Sequence, residues 1–348
     1  MPGNPSYGVH ALLIKTASIT DHHSPGTNGK RALIIVGMHR SGTSATTGAM
    51  HCMGVQLGER LYAGHSDINA KGYFEHSDIA DANDAALLSI GSSWDDILPM
   101  EDGWWKRKEL LPHAEKMRQY IRRDFAQSPL WALKDPRVCR MLPWWLEIFS
   151  QENISPHFIF VVRTPDEVYR SLEKRDGFSR EKSIMLWLLH YLEAERESRG
   201  YPRAFTLFDQ FLENPAGELL KIERQLGVNY PVPVAAATEC LDRFLSRDLR
   251  NHKGSDNKKS GTPTERLAYE LESRLRKASQ DAQIATDDLW QQLEEIQARY
   301  PPLLVEHLRA IGKRRGETER YIHRVERSFS KYAGKPVRFV ERLFGRDV

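Results

Sequence analysis

An apolar run, Leu33–Val36, opens directly onto the loop Gly37-Met38-His39-Arg40-Ser41-Gly42-Thr43-Ser44. A helix-compatible stretch follows as far as Met53, and Gly54 is placed to cap it. Nothing else in the chain constrains its fold so tightly. A buried strand, two glycines five positions apart and a helix start build a phosphate cradle, in which loop N–H groups and the positive helix end face an anion. The spacing G-x-x-x-x-G-x-[ST] is that of a nucleotide-triphosphate loop, but Thr43 stands where that motif carries lysine. The loop's cation is Arg40. An anionic nucleotide other than ATP is therefore expected.

Further short apolar runs, Leu130–Leu133, Phe158–Val162 and Phe205–Phe208, alternate with helical patterns at 43–53, 79–90, 109–127, 165–175, 181–198 and 215–226. Strands of this kind separated by helices predict an α/β fold: a P-loop-like, mostly parallel sheet flanked by helices. Thr164, Pro165 and Glu167 form a capping-box start for the helix at 165. Residues 1–30 read as a flexible leader, 31–250 as the catalytic domain and the polar stretch 251–264 as a linker. Residues 265–348 read as a C-terminal helical extension. In it Leu267, Leu271 and Leu275 recur every four residues, Thr286 precedes a second helix start, and Pro301-Pro302 marks a stop. From Ile311 onward the extension is basic, with eleven Lys and Arg against five Asp and Glu. Its end, Val337 to Arg346, patterns as an amphipathic surface helix.

Composition narrows the function. With 348 residues, 40% hydrophobic and 28% charged, the chain can bury a core, and a net charge of +3 gives no reason to expect nucleic acid as a partner. Cys52, Cys139 and Cys240 show no metal-ligand pattern and no disulfide framework, which favours a reducing compartment. No apolar run approaches the roughly 20 residues needed to span a bilayer. No signal-peptide profile opens the chain. A cytoplasmic location is expected, with the basic extension open to peripheral contact at the inner face of the membrane or to self-association. His39, His51 and the His22-His23 pair lack metal spacing, so no metal is assigned.

A second anchor lies 123 residues after Arg40. Arg163 ends a strand, and Ser171 falls about two helical turns past the Thr164 cap, so both can face one crevice. A guanidinium grips phosphate bidentately and a hydroxyl adds a donor. Here the chain resembles the sulfotransferases that use 3′-phosphoadenosine 5′-phosphosulfate (PAPS). In that family an R-S-G-T-[ST] loop holds the 5′-phosphosulfate and a later R-x-P-x-x-x-x-x-S holds the 3′-phosphate. This sequence has Arg40-Ser-Gly-Thr-Ser44 and Arg163-Thr-Pro-Asp-Glu-Val-Tyr-Arg-Ser171. Leu207–Pro215 resembles a third family segment, with Phe208 in the place of an adenine-side tyrosine. The loop GMHRSGTS and Trp131-Ala-Leu-Lys134-Asp-Pro-Arg137 are similar to those of bacterial members. The resemblance covers roughly residues 31–252.

The resemblance implies a division of labour. The backbone of Ser41, Gly42, Thr43, Ser44 and Ala45, with the Thr43 and Ser44 hydroxyls, would hold the 5′-phosphate. Arg40 would pair with the phosphosulfate, and Lys134 would neutralise charge growing on the leaving oxygen. Arg163 and Ser171 would hold the 3′-phosphate, with Arg250 over it. An acceptor hydroxyl must lose a proton, and two bases are available. Glu75 sits in Asn69-Ala-Lys-Gly72-Tyr-Phe-Glu75, a segment similar to one that carries the base in bacterial members. His76, next to it, has the better intrinsic pKa. Motif position favours Glu75.

Plainer roles compete for several of these residues. Lys134, Asp135 and Arg137 suit a structural ion pair. Trp94 suits a loop anchor as well as a substrate platform, and Trp187 lies on an apolar helix face. The expected activity is sulfuryl transfer from PAPS to a hydroxyl on a carbohydrate or glycoconjugate, such as a glycan or glycolipid. An ATP/Mg-dependent phosphotransferase or NTPase is the first alternative, and a non-catalytic adaptor acting through the helical tail is the second.

Overall fold

A computed structural model of the chain describes residues 29–63, 72–245 and 261–333; side chains of residues 319, 320 and 322–333 are outside that description. The expected leader up to residue 28, most of the linker, Arg250, Asn69–Lys71 and the Val337–Arg346 pattern fall outside the described residues. Four parallel strands form one sheet in the order β2-β1-β3-β4: β1 Lys30–Val36, β2 Leu130–Lys134, β3 Ile154–Val162 and β4 Arg203–Leu207. The order reverses beside β1, so the crevice at the carboxyl ends of β1 and β3 is where an α/β sheet binds its ligand.

Strand β1 is central and buried on both faces, as its unbroken Ala-Leu-Ile-Ile-Val run requires. The period of two assigns its residues to separate layers. Ala32, Ile34 and Val36 join one core with Trp131, Phe160 and Trp187, while Leu33 and Ile35 join another with Met50, Ile159 and Ile222. The second layer is covered by α1 (Thr43–Cys52), α8 (Pro215–Leu226) and α9 (Thr238–Phe244). The first carries α2 (Ser77–Ser89), α3 (Leu111–Phe125), α4 (Val138–Gln151), α5 (Pro165–Asp176) and α6 (Arg180–Glu197). Between β4 and α8 a short helix, α7, spans Phe208–Glu213.

Three of these helices, α4, α7 and α9, are not among those expected from the sequence. Helix α4 is absent from the expected helices because Pro143 interrupts its interior. Phe208, read as strand, begins α7.

The C-terminal leucines belong to the main core. In α10 (Pro263–Asp281) Leu267, Leu271 and Leu275 are fully covered against α6 and β4, and in α11 (Asp287–Gln297) Leu289 and Leu293 are covered too. Each such leucine contributes about 1.5–3 kcal/mol relative to exposure. Thr262 and Glu265 complete a full capping box at the start of α10. Helix α12, Pro302–Ala333, follows and packs against α2.

The cysteines correct the sequence reading. Cys52, at the end of α1, is disulfide-bonded to Cys240 of α9, 188 residues later, and Cys139 is buried and free. That separation leaves no local spacing to read, and the pairing removes the cysteine-based case for a reducing compartment. Among the described residues no helix is long and apolar enough to cross a membrane.

Candidate active site

The β1–α1 loop keeps its shape through contacts that exclude side chains. A Cβ on Gly37 would lie 2.7 Å from the Val161 carbonyl oxygen, and one on Gly42 would enter the Phe208 ring at 2.0 Å. Gly42 also holds φ +90°, and Arg40 holds φ +69°, a left-handed conformation that costs a non-glycine residue about 1–2 kcal/mol. The Ser41 N–H closes the turn on the Met38 carbonyl. Gly42 is the N-cap of α1 and supplies no side-chain cap. The first-turn N–H groups of a helix have no intrahelical acceptors, and together with the dipole they suit an anion.

Arg163, Ser171 and Arg40 converge on this loop. Arg163 Nη1 donates to the Arg40 carbonyl at 3.1 Å, and Arg40 Nε donates to Ser171 Oγ at 2.8 Å. The Arg163 guanidinium lies 5.0 Å from the centroid of the Phe208 ring and reaches Glu167 at 3.4 Å. Glu167 accordingly completes only half of the expected capping box. Its N–H donates to Thr164 Oγ1, while its carboxylate is drawn to Arg163. Trp187, which is core as its helix face predicts, donates from its indole N–H to the Arg163 carbonyl. Burial, then the charges of Arg175 and Arg163, push the Arg40 guanidinium down to about 10. That crowding of cations is what a bound anion would relieve.

A second cluster lies alongside. Lys134, the last residue of β2, places Nζ 2.5 Å from Glu75 Oε1 and 3.1 Å from the Tyr73 carbonyl. Ser44 Oγ donates to that same carbonyl, which ties the cluster to the first turn of α1. Lys134 and Glu75 are 4% and 8% exposed, so this is a buried ion pair. Arg137 approaches Glu75 at 3.8 Å, bonds Asp84 with two nitrogens and pairs with Asp135. Asn83 donates to Asp135 and accepts from the Trp145 indole, which fixes the turn after β2 in the core. In the Lys-Asp-Pro-Arg segment the structural ion pair is thus Asp135–Arg137, whereas Lys134 faces Glu75.

Other sequence candidates sit elsewhere. His76 has both ring nitrogens engaged: Nδ1 accepts the Ile79 N–H as the cap of α2, and Nε2 lies 2.5 Å from Asp124. Of the two candidate bases, Glu75 is the one that pairs with Lys134 beside the loop. Phe208 is 3% exposed, closed between Gly42 and Arg163, so it shapes the loop instead of offering an open ring face. Thr43 and Ala45 are buried in the first turn of α1, and Ser41 is wholly buried.

No protein-family model and no curated protein matches this chain. Among solved structures it is similar to the sulfotransferase domain of the Synechococcus PCC 7002 olefin synthase, with 16% identity, TM-score 0.38, 82% of this chain and 100% of that one covered. It is also similar to the sulfotransferase STF1 from Mycobacterium tuberculosis H37Rv, with 11% identity, TM-score 0.35, and 62% and 76% of the two chains covered. At that similarity nothing is carried over from either protein to this chain.

Three residues at the site escaped the motif reading. The His39 ring lies 4.3 Å from the Trp94 ring at a tilt of 50°, which makes Trp94 a wall of the loop region, and Arg175 lies 5.5 Å over the Trp94 ring. Burial, then Arg175, hold His39 well below its ordinary value, so it is neutral. Arg175 follows Ser171 by one helical turn, a spacing that would have revealed it. The Tyr73 carbonyl, which receives both Ser44 and Lys134, leaves no trace in a sequence.

Proposed function

We propose that this chain is a sulfotransferase that takes the sulfuryl group from PAPS and delivers it to a hydroxyl acceptor, on a carbohydrate or glycoconjugate. One observation carries the reading: Arg163 closes onto the Arg40 carbonyl while Arg40 closes onto Ser171, so two arginines from distant parts of the chain meet at an uncapped helix start. A triphosphate fits that arrangement poorly, because the loop lacks the lysine after Gly42.

Each group then has a task. The loop N–H groups and Arg40 bind the donor's 5′ end, and Arg163 with Ser171 binds its 3′-phosphate. Lys134 offers positive charge to the bridging oxygen as the bond from sulfur to that oxygen breaks. Glu75 takes the proton as the acceptor oxygen bonds to sulfur. In the resting site Glu75 and Lys134 hold each other, so an entering hydroxyl must part them.

Transfer of labelled sulfate from PAPS to a panel of glycans and glycolipids tests this, with wild type compared with Glu75→Gln. Labelled product from wild type and at least a hundredfold less from the variant supports it. ATP–Mg²⁺ binding without any binding of adenosine 3′,5′-bisphosphate contradicts it.

A further inference from the structure

A cavity of about 510 Å³ lies between the segment 88–101 and α12. Ile97, Leu98, Met100 and Trp104 form one side, and Leu308 and Ile311 of α12 form the other. The helix is seated closely: a Cβ on Gly312 would lie 2.1 Å from the Gly91 carbonyl oxygen, so the two backbones touch where neither residue has a side chain. Residues 93–95 form a wall shared with the β1–α1 loop region. Ser93 and Asp95 line the cavity, while Trp94 between them packs on His39 of the β1–α1 loop. Arg140, three residues after Arg137, holds this wall by donating to the Asp96 and Leu98 carbonyls.

Four carboxylates, Asp95, Asp96, Glu101 and Glu109, and five cations, Arg107, Lys182, Arg309, Lys313 and Arg315, line the cavity, so its charges nearly balance. Asp95 pairs with Lys182 at 2.7 Å, Glu101 with Arg309 at 3.5 Å and Glu109 with Arg107 at 3.2 Å. Asp96 accepts from the Ser92 hydroxyl and the Leu98 N–H. Such a rim offers hydrogen bonds to hydroxyls but little net charge to an ionic head, and the apolar walls suit a hydrocarbon chain.

We propose that this cavity seats the apolar chain of an uncharged, hydroxyl-bearing amphiphile, whose polar end is directed past Trp94 to the transfer site. Calling that amphiphile the acceptor rests on the sulfuryl-transfer reading; the cavity as its binding site does not.

Calorimetry on the full chain tests it, with dodecyl maltoside below its micellar concentration, maltose and dodecyl phosphate as probes. Dodecyl maltoside is expected to bind at least tenfold more tightly than maltose and more tightly than dodecyl phosphate. Ile311→Asp, at a site 48% exposed, is expected to weaken dodecyl maltoside at least tenfold and leave adenosine 3′,5′-bisphosphate binding unchanged. Gly312→Ala, which wedges α12 from the wall, is expected to do the same. Equal affinity for maltose and dodecyl maltoside, tighter dodecyl phosphate, or full binding in both variants overturns the proposal. Loss of nucleotide binding in wild type, with the alkyl preference intact, overturns the sulfuryl-transfer reading and upholds the cavity.

Discussion

Lys134 Nζ and Glu75 Oε1 lie 2.5 Å apart, although 59 residues separate them in the chain and both are buried. Breaking such a pair leaves one charge without compensation, which costs about 3–5 kcal/mol, whereas removing both charges is often close to neutral. Glu75→Gln and Lys134→Met are each expected to lower the unfolding free energy by that order, and the double variant to recover most of it. Transfer activity is expected to be lost in all three. Chemical denaturation alongside the assay separates the two effects, and a double variant as unstable as the singles would refute the pairing as described.

The hydroxyl of Ser171 contributes one hydrogen bond to the Arg40 network. Ser171→Ala is expected to weaken adenosine 3′,5′-bisphosphate by about tenfold, in line with a loss of ~1–1.5 kcal/mol. Arg163→Lys is expected to do more damage than its charge conservation suggests. An ammonium cannot bond the Arg40 carbonyl and Glu167 in the planar geometry seen here while also gripping a phosphate. Equilibrium titration of the two variants gives the comparison.

Gly42 is required twice over, by its φ of +90° and by the Phe208 ring against its Cα. Gly42→Ala is expected to lose at least ~2 kcal/mol of stability together with nucleotide binding. Adding Phe208→Ala removes the clash but not the backbone strain, so the double variant is expected to regain stability only in part, if the added cavity is counted separately with Phe208→Ala alone.

The Cys52–Cys240 disulfide fastens α9 to α1, the helix that follows the β1–α1 loop, and Phe244 of α9 packs edge-on against Phe74 next to Glu75. A closed loop of that length stabilises by up to about 5 kcal/mol in the chain-entropy model. Cys52→Ser and Cys240→Ser are expected to destabilise equally, and reduction of wild type to match them. An unchanged midpoint on reduction would count against the bond.

His190 is fully buried, and burial, then the nearby Arg140, push it down to about 3. A base depressed in the folded state takes up a proton more readily when unfolded. Between pH 6.5 and about 3 the unfolded chain therefore holds the extra proton, and stability falls as pH falls through that window, by at most about 1.4 kcal/mol per pH unit. Above it His190 contributes no pH dependence. His190→Gln is expected to flatten the acid limb of the stability profile by one proton.

Local patterns made much of this fold legible. The continuous apolar runs located all four strands, and the Thr164-Pro165 start located α5, because burial and capping act over a few residues. Pro143 hid α4, since proline's local cost says nothing of the helix's own Trp144 and Trp145, which anchor it in the core. At the site, Arg40, Arg163 and Ser171 could be named from spacing because a strand end and a helix start fix where they point. That Arg40 turns to Ser171 could not, and neither could the Cys52–Cys240 bond, the capture of His76 by Asp124 or the closing of Phe208 over Gly42. Each depends on which distant element arrives opposite, and no local period encodes that.

The central claim is that Arg40 and Arg163 form one anion site for a doubly phosphorylated adenosine. Calorimetric titration with adenosine 3′,5′-bisphosphate in the absence of divalent metal tests it most directly. Saturable one-to-one binding in wild type, lost by at least a hundredfold in both Arg40→Ala and Arg163→Ala with the fold intact, is the predicted result. No binding to wild type, or binding that survives either substitution, would contradict it.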